Sequence, residues 1–157
     1  MKDVIIVENF LTEEECLYYR GITDTCFKRS GLQIIVKRPD ITEKFFNEHH
    51  EAFSKVILDG GRTKGLHDDV TFAKSTRAIP KHIDKNIREE DKWKLLIYLN
   101  DIKDGGGTIF YENSNDKEGF KVANKMGSAV FFNIALPHRG EALNGQLKYS
   151  IGFRLIT

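Results

Sequence analysis

Cysteine is scarce in this chain. Of 157 residues only Cys16 and Cys26 carry a thiol, and neither belongs to a CxxC pair. They read as free thiols in a reducing compartment, and a chain of this length can bury a core without disulfides or a structural metal. Long apolar runs are also missing, so neither a signal-peptide core with its cleavage site nor a membrane span is expected, and the expected location is cytoplasmic. Charge of one sign is not in excess: the net value is +1. That removes a general pull toward nucleic acid or a membrane surface and leaves only a local basic patch to consider. Repeats, linkers and low-complexity tracts are absent, so residues 1–157 are expected to form one domain. The triplet Gly105-Gly106-Gly107 lacks the following Lys-Ser/Thr and helix of a phosphate loop, which makes it a strand turn.

What is present reads as helices first and strands afterwards. Val4–Val7 is a β-branched run and a predicted strand. Thr12 and Glu15 stand at capping-box spacing, with Leu11 and Cys16 placed for a staple. The helix they open should run to about residue 27, burying Cys16, Tyr19, Ile22 and Cys26. Residues 32–36 read as a strand. Asp40 with Glu43 is a second capping-box candidate, and Phe45, His49, Phe53, Val56 and Ile57 follow at helical spacing until Asp59-Gly60-Gly61. From residue 66 the period changes to that of strands, at 70–73, 93–100, 108–112, 120–123, 128–134 and 147–156. Residues 113–119 read as a mobile polar loop; this stretch and 62–65 are both candidate lids. Along 93–100, Trp93, Leu95, Ile97 and Leu99 share one face and Lys94, Leu96, Tyr98 and Asn100 the other. Along 147–156, Tyr149, Ile151, Phe153 and Leu155 oppose Lys148, Ser150, Gly152 and Arg154. A polar inner face behind an apolar outer one suggests a sheet wrapped round a site, with the early helices on its outside.

The chemistry-bearing stretch is Pro80-Lys81-His82-Ile83-Asp84. In an extended segment, residues two apart point the same way, so His82 and Asp84 can converge on one ion. A distant histidine, offered by Leu136-Pro137-His138-Arg139-Gly140, would complete a two-histidine, one-carboxylate set that leaves positions open on ferrous iron. His138 is read as a loop residue after a strand, and Lys148 follows on a strand-like run. The competing pair His67 and Asp69 precedes a different strand. His49 falls on an apolar helical stripe and His50 faces outward, so neither reads as a ligand.

With these motifs placed, the chain resembles the prolyl 4-hydroxylase-like branch of the iron(II)/2-oxoglutarate-dependent dioxygenases. The likeness runs from Val7-Glu8-Asn9-Phe10 through His82-Ile83-Asp84, Leu96-Ile97-Tyr98-Leu99-Asn100-Asp101, Gly105-Gly106-Gly107-Thr108-Ile109-Phe110, Gly127-Ser128-Ala129-Val130-Phe131-Phe132 and Pro137-His138-Arg139-Gly140-Glu141 to Gly145-Gln146-Leu147-Lys148-Tyr149-Ser150. It implies a mainly β fold with supporting helices: a double-stranded β-helix, jelly-roll and cupin-like, with N-terminal helices packed on one sheet. It also implies Fe(II) held by His82, Asp84 and His138, with 2-oxoglutarate and O2 as co-substrates and ascorbate as an optional addition. Lys148 is placed to pair with the far carboxylate of 2-oxoglutarate, with Tyr98 as a second contact. Ser150 is either a hydroxyl contact or a small packing residue, and Arg154 is the fallback for Lys148. Retention of Asp84 favours hydroxylation over halogenation. One departure concerns the substrate: where family members often carry Tyr followed by Pro-Gly, this chain reads Phe72-Ala73-Lys74-Ser75-Thr76-Arg77-Ala78-Ile79.

The expected function is hydroxylation of an aliphatic C–H, first of a prolyl residue in a peptide or protein, with release of succinate and CO2. The alternatives are hydroxylation of a free amino acid or small metabolite, and a catalytically silent metal-binding β-barrel acting as an interaction module. The expected partner is a peptide, protein or small-molecule substrate, with neither nucleic acid nor membrane; the oligomeric state is left open.

Overall fold

A computed structural model describes residues 1–27 and 31–157. In chain order the elements are β1 (Val4–Val7), α1 (Glu13–Cys26), β2 (Ile34–Lys37), α2 (Pro39–Glu48), α3 (His50–Ser54), β3 (Gly65–Ser75), β4 (Trp93–Tyr98), β5 (Thr108–Phe110), β6 (Phe120–Val122), β7 (Ala129–Asn133), β8 (His138–Gly140) and β9 (Lys148–Ile156). The capping box at α1 is complete. Thr12 Oγ1 accepts from Glu15 N at 3.1 Å, and Glu15 Oε1 accepts from Thr12 N at 3.1 Å. Glu13, Glu14 and Glu15 add negative charge where the helix dipole favours it.

The second expected helix is interrupted. Its start is set by Pro39 at the first helical position, not by an Asp40 capping box; Asp40 instead takes paired hydrogen bonds from Arg38 at 3.0 and 2.9 Å. The chain leaves helical geometry at His49 (φ −109°, ψ 17°) and restarts as α3. There the His49 ring donates from Nδ1 to Phe45 O at 2.8 Å and meets Glu15 Oε2 through Nε2 at 2.5 Å. A side chain bonding to a helix carbonyl competes with the helical ladder, and a buried contact to α1 outweighs local propensity. Glu15, Glu48 and His49 also cluster, but this bond and the capping box already occupy Glu15, so the group reads as a clasp between helices.

The strands form a six-stranded sheet, ordered β1-β7-β4-β9-β3-β2, and a three-stranded sheet, ordered β6-β5-β8. All pairs are antiparallel. The register across the large sheet puts Thr71 opposite Gly152 and Gly152 opposite Leu96, so these share the inner face, while Phe72, Ile151 and Ile97 share the outer one. The outer face buries its apolar row against the helices: Cys16, Tyr19, Phe45 and Phe53 pack with Leu95, Ile97, Phe131, Ile151 and Phe153. The inner face meets the small sheet across a second cluster of Val4, Tyr98, Phe110, Val122, Val130, Phe132 and Leu136. Two facing antiparallel sheets with helices on one outer face make a double-stranded β-helix. The apolar filling stops short of β8 and the lower part of β9, leaving a cavity between the sheets lined by His82, Asp84, Lys94, His138 and Lys148. Among the described residues, no helix is long and apolar enough to cross a membrane.

Candidate metal centre

The segment after β3 brings its imidazole to the small sheet through the backbone. His82 N donates to His138 O at 2.9 Å, and His138 N donates to His82 O at 2.9 Å. His138 opens β8 opposite Phe110. It is therefore a ladder residue and not the loop residue expected from sequence, because its pairing partners come from distant parts of the chain. Each ring is oriented by a carbonyl two residues upstream: His82 Nδ1 lies 2.8 Å from Pro80 O and His138 Nδ1 lies 3.0 Å from Leu136 O. With a proton assigned to each Nδ1 by that contact, both Nε2 atoms are the ligating nitrogens. They lie 3.2 and 3.6 Å from Asp84 Oδ1, and the three donor atoms fall within 4.8 Å of one another. Two imidazoles and a carboxylate oriented in this way fit ferrous iron with open positions.

The electrostatics suit a cation. Burial would raise the Asp84 carboxyl, but the His82 hydrogen bond, Lys94 and His138 more than offset it and hold the group well below the usual carboxylate range. His82 is raised, first by its bond to Asp84, whereas burial lowers His138 and favours the neutral ring a metal requires.

Lys148 lines the same cavity. Its stem leaves the residue half-buried, yet burial of the ammonium draws its pKa down to about 8, opposed by Glu141. Nζ donates to Gly106 O at 2.5 Å and sits 4.9 Å from the centre of the Tyr98 ring. Gly106 adopts φ +74°, and a Cβ there would fall 2.7 Å from Ile102 Cβ, so only glycine presents this carbonyl without displacing Ile102. Glu141 also lines the cavity; its Oε1 accepts from Gly107 N at 3.2 Å and its Oε2 lies 3.1 Å from Lys121 Nζ.

The remaining expected site residues divide. Ser150 is buried and lines the cavity. Tyr98 lies under the wall: its hydroxyl is 2.7 Å from Thr108 Oγ1, and Thr108 is the hydroxyl that reaches the cavity lining. Arg154 is buried at the other end of β9, 3.5 Å from Asp91. His67 and Asp69 stand apart from the triad in a network with Asp91 and Arg88, which also fastens the 87–91 turn through Ile87 N and Arg88 N. Arg139 donates to the Tyr111 hydroxyl at 2.9 Å.

The two candidate lids are also placed. Residues 113–116 are pinned by Lys81, whose ammonium donates to Asp116 O at 2.7 Å and Ser114 O at 3.3 Å and covers the Tyr111 ring. Arg62 bonds Ser54 O at 2.8 Å, on the helical side of the molecule. Sequence reading missed Lys94, Thr108 and Glu141 as cavity residues. For Lys94 a signal existed: a lysine on the inward parity of the strand that follows the HxD segment.

Residues 60–153 match the model of the 2OG-Fe(II) oxygenase superfamily. No curated protein matches the chain. Among solved structures, it is similar to a viral collagen prolyl hydroxylase from Paramecium bursaria Chlorella virus-1 in complex with 2-oxoglutarate, at 17% identity and TM-score 0.68, over 98% of this chain and 95% of that one. A Trichoplax adhaerens prolyl hydroxylase in complex with a hypoxia inducible factor peptide gives 18% identity and TM-score 0.72, over 99% of this chain and 84% of that one. A Pseudomonas putida prolyl-4-hydroxylase gives 15% and 0.70, over 100% and 94%.

Proposed function

The chain belongs to the 2OG-Fe(II) oxygenase superfamily, and on that premise we propose that it hydroxylates an aliphatic C–H of a prolyl residue in a peptide or protein, as one domain over 1–157. It is an enzyme whose cofactors are Fe(II), 2-oxoglutarate and O2, with His82, Asp84 and His138 as the facial triad. The observation that carries the proposal is the meeting of that triad with the buried ammonium of Lys148 in one cavity. Bound there, iron and the keto acid supply oxygen activation, converting 2-oxoglutarate, O2 and R–H into succinate, CO2 and R–OH.

The protein's own residues supply placement. The Pro80 and Leu136 carbonyls orient the rings through Nδ1, so that His82 and His138 would turn their Nε2 atoms to a bound metal. Lys148 pairs with the far carboxylate of the co-substrate, with Thr108 and Ser150 as neighbouring hydroxyls and the Tyr98 ring beside its ammonium. Asp84, a carboxylate where a small residue would open another position, supports hydroxylation. A prolyl substrate is supported by the fold shared with proteins described as prolyl hydroxylases. A cytoplasmic location is part of the proposal, supported by the free thiols Cys16 and Cys26.

Oxygen-dependent succinate formation with ferrous iron tests the reaction, and Asp84→Ala should abolish it together with stoichiometric metal binding. Turnover unchanged in Asp84→Ala would refute the ligand set. Mass spectrometry for one added oxygen on proline peptides and on free amino acids tests the substrate; a gain confined to free proline would replace the peptide reading.

A further inference from the structure

We propose that Lys94 is a positioning residue for the metal centre, holding Asp84 to a single coordinating oxygen so that enough positions stay free for co-substrate and oxygen. This rests on the oxygenase reading above. The two Asp84 oxygens face different partners. Oδ1 faces both imidazoles, at 3.2 and 3.6 Å, while Oδ2 faces Lys94 Nζ at 3.3 Å. Asp84 is the only ion-pair partner of Lys94 among the described residues.

Carboxylates bind metals through one oxygen or two. An octahedral ion held by three protein donors keeps three positions, enough for a bidentate keto acid and oxygen together. A bidentate Asp84 would occupy one of them and leave the last reactant without a site. An ammonium donating to Oδ2 opposes that swing, because bidentate binding would forfeit a charge-assisted hydrogen bond.

The fold delivers the ammonium through a specific gap. Lys94 projects from the inner face of β4, next to Gly152 of β9. A Cβ at 152 would lie 3.2 Å from Lys94 Cε and 3.4 Å from Thr71 Cβ, so glycine clears the path of the lysine stem. Lys94 and Gly152 thus act together, one supplying the donor and the other its route.

The test uses the full chain loaded with Mn(II), with 2-oxoglutarate binding followed by calorimetry and the coordination of Asp84 read from crystal structures of wild type, Lys94→Met, Lys94→Arg and Gly152→Ala. Lys94→Met is expected to bind Mn(II) but to take 2-oxoglutarate at least roughly tenfold more weakly, the scale of one charge-assisted hydrogen bond. Its Asp84 should have both oxygens on the metal, an outcome that loss of a nearby charge alone would not produce. Lys94→Arg, which keeps a donor for Oδ2, should recover most of the affinity, and Gly152→Ala should fall between. Wild-type affinity and a monodentate Asp84 in Lys94→Met overturn the proposal and leave the oxygenase reading standing. If Lys94→Met does not fold, unchanged affinity in Gly152→Ala overturns it instead. A wild-type protein that binds Mn(II) but no 2-oxoglutarate overturns both readings.

Discussion

Lys148 carries an ammonium in a place that disfavours charge. Its pKa of about 8 lies below the ordinary lysine value of 10.5, and burial is the first cause. Between those two values the unfolded chain keeps a proton that the folded protein releases, so the metal-free protein should gain stability as pH rises through that window. Co-substrate binding should run the other way, since the carboxylate needs the charged form. Affinity for 2-oxoglutarate is expected to fall as pH passes about 8. Calorimetric titration of the Mn(II)-loaded protein from neutral to alkaline pH would show it. Lys148→Arg should flatten that dependence, because a guanidinium stays protonated throughout. An equally steep profile in the arginine variant would assign the pH dependence to another group.

At the scale of single elements, two local devices carry measurable energy. The Thr12 capping box closes α1, and Thr12→Ala should cost about 1 kcal/mol in chemical denaturation. Its effect should reach the core because α1 packs on the sheet through Cys16 and Tyr19. The second device is Lys81, which ties residues 113–116 to the segment that carries His82. Polar composition suggested a mobile loop there, but a single ammonium satisfies two of its carbonyls and lies 3.7 Å from the centre of the Tyr111 ring. Lys81→Met should raise amide hydrogen exchange across 113–116 while leaving α1 protected. Unchanged exchange would mean that the Asn113–Asp116 turn bond, at 3.0 Å, holds the loop by itself.

For the whole molecule, the aromatic layer between helices and large sheet is the common support. Phe131 of β7 meets Phe10 and Phe53 with ring centres 5.9 and 6.0 Å apart, and it is fully buried. Phe131→Ala should cost about 3–5 kcal/mol, read as a lower denaturation midpoint at unchanged slope. A smaller loss would indicate that the helices close over the gap. The Asp69–Arg88–Asp91–Arg154 network does similar work at the far end, joining β3, β9 and the turn that follows the HxD segment. Arg154 therefore serves architecture. Six residues along an extended strand is roughly 20 Å, so Lys148 and Arg154 reach opposite ends of the inner face despite sharing its parity.

What the amino-acid order determined by itself was local. Capping-box spacing at Thr12, the period of two along β4 and β9, and the shared direction of His82 and Asp84 all follow from a few neighbouring backbone dihedrals. The family motifs were legible for the same reason, each being a short string. Tertiary structure alone decided what depends on partners distant in the chain. It made His138 a strand residue paired with His82 and broke the second helix at His49 to reach Glu15. It lengthened β3 to take in His67 and Asp69, and brought Lys94 to Asp84 through the gap at Gly152. Such contacts are selected by burial and by the pairing of polar groups away from water. Those forces act only once the sheets have closed on each other, so no local window of sequence contains them.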